Sequence, residues 1–171
     1  SYASGVSADG QHTRLSPQAY YYNGSLGLLG EYAISNQKLV RVSGGSTIRD
    51  TFTNKAWQIS GNYVLTGEVA SFKGITPRNV FDLEKKTLGA FEVVGRLGQL
   101  KLDNNIFDSS FANLNTAINK EDAWGLGLNW YPHKNVRLSL DFEQTRFDRG
   151  AANNEDRLKE NVFLTRVQLA Y

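Results

Sequence analysis

The stretch that decides the fold is 161-NVFLTRVQLAY-171, the last eleven residues of the chain. Its residues alternate in character: Phe163 and Leu169 fall on one side of the segment, and Arg166 and Gln168 fall on the other. Successive side chains of a β-strand point to opposite faces, whereas an α-helix repeats about every 3.6 residues. The alternation therefore predicts a β-strand with one apolar and one polar face.

The same period of two recurs upstream and predicts about seven strands in all. The expected strands are residues 14–22, 26–34, 57–65, 90–97, 123–130, 136–143 and 162–171. We expect one domain, in which residues 1–13 form a loop and residues 14–171 hold the strands. Long loops are expected at about 37–52, 66–87, 102–122 and 148–160, because these links are long and polar.

Composition excludes several classes of protein. The 171 residues include no cysteine, which excludes disulfide scaffolds, thiol catalysis and cysteine zinc sites. The net charge of +2 is too small to indicate a nucleic-acid binder. His12 and His133 have no partner at ligand spacing, so we expect no metal site. Ser16, Ser60 and Ser139 have no nearby histidine on the same face, and Asp141 and Glu143 have the spacing of a wall rather than of an acid/base pair, so we expect no enzymatic activity and no cofactor. The first residue is Ser1 rather than methionine, and we expect a processed chain or a piece of a longer one.

Two architectures can explain strands of period two. In a soluble β-sandwich the apolar face is a packed core, whereas in an outer-membrane barrel it meets lipid and the polar face lines water. The apolar faces here end in aromatic residues, the opposite faces are rich in Gly, Ser, Asn and Gln, and the chain ends on an aromatic residue. These three features favour an antiparallel transmembrane β-barrel.

About seven strands do not close a barrel of their own. Bacterial single-chain barrels have even strand numbers, and an open edge inside lipid would leave backbone groups unsatisfied. A small closed barrel would also need large side chains to fill it, but many polar-face positions are Gly, Ser or Ala. We therefore expect the chain to supply the last strands of a wider barrel.

Five segments resemble the phosphate-selective porin O/P family. They are RLSPQAYYYNGSLGLLGEY (14–32), NKAWQISGNYVLTGE (54–68), GAFEVVGRLGQL (89–100), GLGLNWYPHKNVRLSLDFEQTRF (125–147) and VFLTRVQLAY (162–171). The resemblance implies a trimeric porin of about sixteen strands, of which this chain is the C-terminal part. It also implies passive, anion-selective diffusion of phosphate or pyrophosphate across the outer membrane of a Gram-negative bacterium.

An anion path needs positive charge that faces water. Alternation places four arginines on the polar side of their strands: Arg14, Arg96, Arg137 and Arg166. The resemblance favours Arg137, since the family has a basic residue at the start of this strand. The alternative is that these arginines pair with polar-face carboxylates and only brace the wall; the candidates are Glu31, Glu92, Asp141 and Glu143.

The link at 66–87 is basic, with Lys73, Arg78, Lys85 and Lys86. If it turned into the lumen, these side chains would raise the positive potential on the water path. The resemblance implies a pore-directed lysine at the position of Lys73. Membrane-interface aromatics are expected at Trp57, Trp124, Trp130 and Tyr171.

Two rival functions remain open from the sequence. Several copies of a partial sheet could close one barrel and act as a structural or assembly subunit of an outer-membrane complex. A soluble β-sandwich could instead bind glycans by stacking sugars on its tyrosines.

Overall fold

A computed structural model describes residues 2–113 and 115–170. Nearly all the regular structure is strand. The strands are β1 (Val6–Leu15), β2 (Gln18–Asn23), β3 (Leu26–Ser43), β4 (Ser46–Val64), β5 (Ala90–Lys101), β6 (Ile118–His133), β7 (Val136–Arg149) and β8 (Glu160–Leu169). A short helix, α1 (Asn105–Asp108), and a 3₁₀ turn (Ala152–Asn154) lie in the loops. In the described part of the chain, no helix is long and apolar enough to cross a membrane.

The strands form one antiparallel sheet in the order β1-β3-β4-β5-β6-β7-β8. β2 lies on the same side of β3 as β1: Leu15 pairs with Ile34, and Gln18 pairs with Glu31. The break between them falls at Pro17, which has no backbone donor for the ladder. The eight strands therefore occupy seven positions across the sheet, and the all-β antiparallel expectation is confirmed.

A loop was expected over residues 1–13, but residues 6–13 belong to a strand, because β1 begins at Val6. This strand is rich in Gly, Ser and polar residues, and its register shifts between Ala8 and His12. It forms because the neighbouring β3 supplies backbone partners, and those hydrogen bonds do not depend on side-chain type.

Residues 37–52 are also not a loop, since β3 and β4 continue to a two-residue turn at Gly44 and Gly45. Both glycines have positive φ, 56° and 80°, which is what a tight hairpin turn of primed type requires. The strands are 18 and 19 residues long, whereas about 9–11 residues span a bilayer. The hairpin therefore projects beyond the apolar band.

The other long links of the sheet join β4 to β5, β5 to β6 and β7 to β8. Residues 65–89 contain no strand, residues 102–117 hold α1, and residues 150–159 hold the 3₁₀ turn. We call the end of the sheet with Gly44, α1 and the 3₁₀ turn the loop end. We call the opposite end, with turns at Gly24 and Lys134, the turn end.

The apolar face of the sheet is uncovered. Ile59 is 55% exposed and Leu126 is 57% exposed, and they lie among many exposed apolar side chains of that face. No second layer formed by described residues packs on it, which excludes the sandwich because a sandwich needs a core between two layers. The sheet is also open, since β8 does not pair with β1 or β2 in the described chain.

A small apolar cluster fixes the loop between β5 and β6 to the polar face at the loop end. Leu39 and Phe52 from β3 and β4 pack against Ile106 and Phe111 of the loop. The rings of Phe52 and Phe111 meet edge to face, with centroids 4.9 Å apart. The sheet thus carries an ordered loop across the polar face at this end.

Replacing Phe52 with alanine should release that loop while the sheet stays folded. A buried Phe→Ala change costs about 3–5 kcal/mol, and the packing that is lost joins the sheet to the loop. Hydrogen exchange should become faster at the amide of Ala112, which donates to the Ile106 carbonyl at 2.9 Å. Phe72→Ala is the matched control, since Phe72 is 77% exposed. Unchanged exchange at Ala112 would show that the cluster does not hold the loop.

Candidate functional site

The four arginines predicted from alternation all lie on the polar face. The register places Arg14 opposite Ser35, Arg96 opposite Ser60 and Arg166 opposite Ser139. Arg137 lies at the start of β7 and pairs with Gln168 of β8. They are spread over the sheet, and the structure does not gather them into one cluster.

The basic segment, residues 66–87, packs its first half on the polar face at the turn end. Ala70 and Ile75 are buried against Val64, Ala90 and Tyr131. The backbone N–H of Ala70 donates to the carbonyl of Gly24, in the turn between β2 and β3, at 2.8 Å. These apolar contacts hold the segment over the face that carries the arginines.

A cavity of about 540 Å³ lies between this segment and the turn ends of β6, β7 and β8. It brings together three of the predicted residues, Lys73, Arg78 and Arg137. Lys134, in the turn between β6 and β7, also lines it and was missed from the sequence because that turn has the composition of an ordinary hairpin connection. Four cationic side chains thus share one cavity.

Glu68 is the single carboxylate among the described residues of the lining, and it is already engaged. It is 6% exposed and accepts hydrogen bonds from the Thr66 hydroxyl and from the backbone N–H of Arg78, the latter at 3.2 Å. Burial acts to raise the pKa of Glu68, but these hydrogen bonds outweigh it and hold the pKa below its usual value. Glu68 therefore ties the segment together as an anion.

Arg78 also stabilises the basic segment, because its guanidinium donates a hydrogen bond to the carbonyl of Gly67 within that segment. Arg137 donates to the Gln168 side chain at 2.7 Å, and its Nε is buried without a partner among the described residues. Lys73 is exposed, and its ammonium forms no ion pair with a described carboxylate. The cations of the cavity are therefore left with little internal compensation.

Two of the polar-face carboxylates, Glu92 and Glu31, are hydrogen-bonded by neutral side chains. Glu92 is 5% exposed and accepts from Asn62 at 2.7 Å, from Asn129 at 2.9 Å and from the Tyr131 hydroxyl at 2.8 Å. Ser139 in turn donates to Asn129 at 2.6 Å. This network extends over β4, β5, β6 and β7, and it reaches the cavity at Tyr131.

Glu31 of β3 is hydrogen-bonded in the same way, at a position farther from the turn end than Glu92 is. Gln58 donates to it at 2.7 Å and Gln18 at 3.2 Å, and the Ser16 hydroxyl donates as well. Among the described residues, none of the four polar-face arginines forms a salt bridge with a carboxylate. The bracing arrangement, in which these arginines pair with wall carboxylates, is absent from the described chain.

Lys85 and Lys86 lie apart from the cavity. Both belong to a tight turn closed by Asp82 and Thr87, and the Lys85 ammonium is 3.4 Å from the Asp82 carboxylate. Directly after the segment, the carbonyl of Leu88 accepts a hydrogen bond from the indole N–H of Trp130 in β6 at 2.6 Å. The structure therefore separates these two lysines from the residues that line the cavity.

The predicted aromatics lie at two levels of the apolar face. Trp57 and Trp124 are towards the loop end, and Trp130 is at the turn end, stacked on Phe91 with centroids 6.1 Å apart. Tyr171 lies outside the described residues. The described side chains include no group of three His, Cys, Asp or Glu able to hold a metal ion.

Two comparisons with known proteins bear on this sheet. The family model described as "Phosphate-selective porin O and P" matches residues 1–171. The chain belongs to this porin family. It is also similar to Porin O of Pseudomonas aeruginosa, with 29% identity over 116 residues. That match covers 64% of this chain and 25% of Porin O, so the chain matches about a quarter of its relative's length.

Family membership confirms two expectations from the sequence. The resemblance to the porin O/P family is correct over the whole chain, and the open antiparallel sheet is a portion of a porin barrel. A porin is a channel rather than an enzyme, in agreement with the non-enzymatic interpretation. In such a barrel the polar face of the sheet is the face turned towards the lumen.

The lowered pKa of Glu68 predicts that the basic segment loosens in acid. Its charged form contributes stability above the ordinary carboxyl pKa, and that contribution disappears as the pH falls through the lowered value. Hydrogen exchange at Ala70, corrected for the intrinsic rate, should rise over that range. In Glu68→Gln the rise should shrink, because the titrating group is gone.

Asp82 is the necessary control, because its pKa is also lowered, chiefly by the backbone N–H of Lys85. Asp82→Asn should leave the acid response of Ala70 in place, since Asp82 closes the other half of the segment. An acid response that follows Asp82 rather than Glu68 would contradict the assignment.

Proposed function

We propose that this chain forms part of an outer-membrane porin that passes phosphate or pyrophosphate by passive, anion-selective diffusion. The observation that carries the proposal is the set of four cations, Lys73, Arg78, Lys134 and Arg137, that lines the turn-end cavity with Glu68 as its single described carboxylate. On the polar face Glu31 and Glu92 are bound by amides and hydroxyls, whereas Lys73, Arg137 and Arg96 form no salt bridge with a described carboxylate. Uncompensated positive charge on a water-filled wall attracts anions.

The proposed pore must attract the anion without binding it so tightly that it cannot leave. A selective pore conducts when each site is favourable enough to enter and weak enough to leave. The Lys73 ammonium is a compact charge on a flexible stem, which suits transfer of an anion. The Arg137 guanidinium is planar and held by Gln168, which suits orientation of an oxyanion. Three further arginines extend the positive wall away from the cavity: Arg14, Arg96 and Arg166.

The apolar face supports insertion in the outer membrane of a Gram-negative bacterium. The indoles of Trp124 and Trp130 are six residues apart on β6, which is about 20 Å along the strand. Such a pair fits the two aromatic girdles of a transmembrane barrel. We propose Trp57 for the loop-end girdle, and Tyr171 stays a prediction for the turn end.

The free edges of β8 and of β1 with β2 require further strands in lipid. We propose that a longer polypeptide supplies them, since the match covers only 25% of Porin O, and that full barrels of about sixteen strands assemble as homotrimers, as the family resemblance implies. Copies of this chain alone could also close a barrel through the same edges. The mass of the intact polypeptide in the membrane separates the two, since copies alone would give 19.1 kDa.

Reversing the charge at Lys73 should reduce anion selectivity. Lys73→Glu in the complete barrel places a carboxylate in the cavity beside Arg78 and Arg137, where it repels phosphate. The reversal potential across a salt gradient should shift towards cation permeability, and the phosphate current should fall. The measurement is made on single barrels in planar bilayers.

Lys85→Glu is the matched control, because it makes the same charge change in the same segment but outside the cavity. Its reversal potential should stay close to that of the unmodified barrel. An unchanged preference in Lys73→Glu, or an equal shift in Lys85→Glu, would refute the role of the cavity.

A further inference from the structure

Three lysines lie side by side on the apolar face of the sheet, where its band of exposed apolar side chains ends towards the loop end. Lys55 of β4 pairs with Lys101 of β5 in the register, and Lys101 pairs with Lys120 of β6. They share the face of Trp57, because Lys55 is two residues from Trp57 along β4. We call these three residues the lysine row.

The lysine row places like charges directly opposite each other, which destabilises a sheet. Lys120 is compensated, because its ammonium is 2.8 Å from the Asp122 carboxylate and 3.3 Å from the Asp148 carboxylate. Lys55 and Lys101 are exposed, and neither forms a salt bridge with a described carboxylate. The row therefore holds two adjacent positive charges without an ion pair in the described chain.

The next acidic residue of this region serves the loop rather than the lysines. Asp103 comes two residues after Lys101, and its carboxylate accepts from the backbone N–H groups of Thr53 at 2.8 Å and Asn105 at 3.1 Å. Arg146, on the same face of β7, adds a further positive charge at this level. The loop-end border of the apolar face is therefore basic.

The lysine row lies at the depth of lipid headgroups in the proposed barrel. An aromatic girdle marks the boundary between hydrocarbon and headgroups, and Trp57, assigned above to the loop-end girdle, is 37% exposed on this face. Lys55 is two residues farther towards the loop end, which is about 7 Å along the strand. The headgroup layer of a bilayer is about 5–7 Å thick on each side, so the row reaches the lipid phosphates.

We propose that Lys55 and Lys101 bind the phosphate group of a lipid in the leaflet at the loop end, with Trp57 packed on the same lipid below its phosphate. The inference rests on the membrane placement in the proposed function and adds a lipid partner to it. Lysines at this depth keep their alkyl stems on the apolar surface and extend their ammonium groups to the headgroups. A phosphate between the two ammonium groups offsets their mutual repulsion, and basic residues at a membrane surface attract anionic lipids in this way.

Inorganic phosphate in solution offers the same chemistry, but the face of the sheet distinguishes the two sources. Lys55 and Lys101 lie on the opposite face from Arg96 and Arg137, which belong to the proposed anion path. In the barrel the face of the lysines is turned towards lipid, where a phosphate group arrives attached to acyl chains. The site is therefore assigned to lipid phosphate and takes no part in the passage of the anion.

The test is the binding of dansyl-labelled phosphatidic acid by the complete barrel in a neutral detergent, followed by energy transfer from the tryptophans. The unmodified barrel should bind this lipid more tightly than dansyl-labelled phosphatidylcholine, which is zwitterionic. Lys55→Gln and Lys101→Gln should each raise the apparent Kd for phosphatidic acid roughly fivefold, because each removes one basic residue from the headgroup level. Lys55→Arg keeps the charge and should bind nearly as well as the unmodified barrel.

Lys38→Gln is the matched control. Lys38 is exposed on the same face of β3, but it pairs with Thr51, which is four residues beyond Lys55 and about 13 Å farther from the apolar band. Its affinity for phosphatidic acid should stay near that of the unmodified barrel. An equal loss of affinity in Lys38→Gln, or an unchanged affinity in both row variants, would overturn the proposal.

Thermal unfolding gives a second readout and also checks that the variant folds. In neutral detergent alone, Lys55→Gln should have the Tm of the unmodified barrel or a higher one, because repulsion from Lys101 is removed. Phosphatidic acid should then raise the Tm of the unmodified barrel more than that of Lys55→Gln, since a ligand stabilises the state that binds it. Equal increases in the two barrels would contradict the site.

Two further outcomes separate the lipid site from the proposed function. Sodium phosphate should displace no more labelled phosphatidic acid than sodium chloride of the same ionic strength; stronger displacement would assign the lysines to dissolved phosphate and refute the lipid site. If the unmodified barrel conducts no phosphate, the proposed function fails. If it conducts phosphate but does not prefer phosphatidic acid to phosphatidylcholine, the function stands and the lipid site fails.

Discussion

In the proposed barrel, each strand of this sheet faces hydrocarbon on one side and water on the other, because successive side chains point to opposite sides. Backbone groups are satisfied by the antiparallel ladder, which leaves the side chains free to differ between faces. Ile59 and Leu126 can therefore stay exposed on the apolar face while Glu92 and Asn129 form a hydrogen-bonded network on the other. The features that suit the chain to an anion path follow from this separation.

The separation also explains why much of the fold could be predicted from the sequence. Within the apolar band the period of two is strict, so the strands predicted at 57–65, 90–97 and 123–130 lie within observed strands almost throughout. Beyond the band no lipid requires apolar residues, and the pattern weakens although the ladder continues. The projecting hairpin was therefore missed, even though the adjacent Gly44 and Gly45 gave a turn signal.

The candidate site was predictable only in part, for a different reason. The alternation predicts on which face of the sheet Arg137 lies, but not which residues surround it. For Lys73 it predicts no position, because Lys73 lies in an irregular segment. Lys134 joins the cavity only because the basic segment folds back over the polar face. At each end of the sheet a few apolar contacts, around Ile75 at the turn end and around the ring of Phe52 at the loop end, hold a loop in place.

In the proposed pore, the groups that bind the wall carboxylates distinguish a wall braced by salt bridges from a wall that conducts anions. A brace needs each arginine to bind a carboxylate, and that pairing would cancel the field that an anion feels. Here Glu31 and Glu92 are saturated by Gln, Asn, Ser and Tyr donors, which keep the carboxylates satisfied without using a cation. The chain thus carries acidic groups in its wall, and none of the four polar-face arginines forms a salt bridge with a described carboxylate. In the proposed pore, that division of partners leaves the arginines free of carboxylate contacts on a sheet whose sequence is nearly neutral.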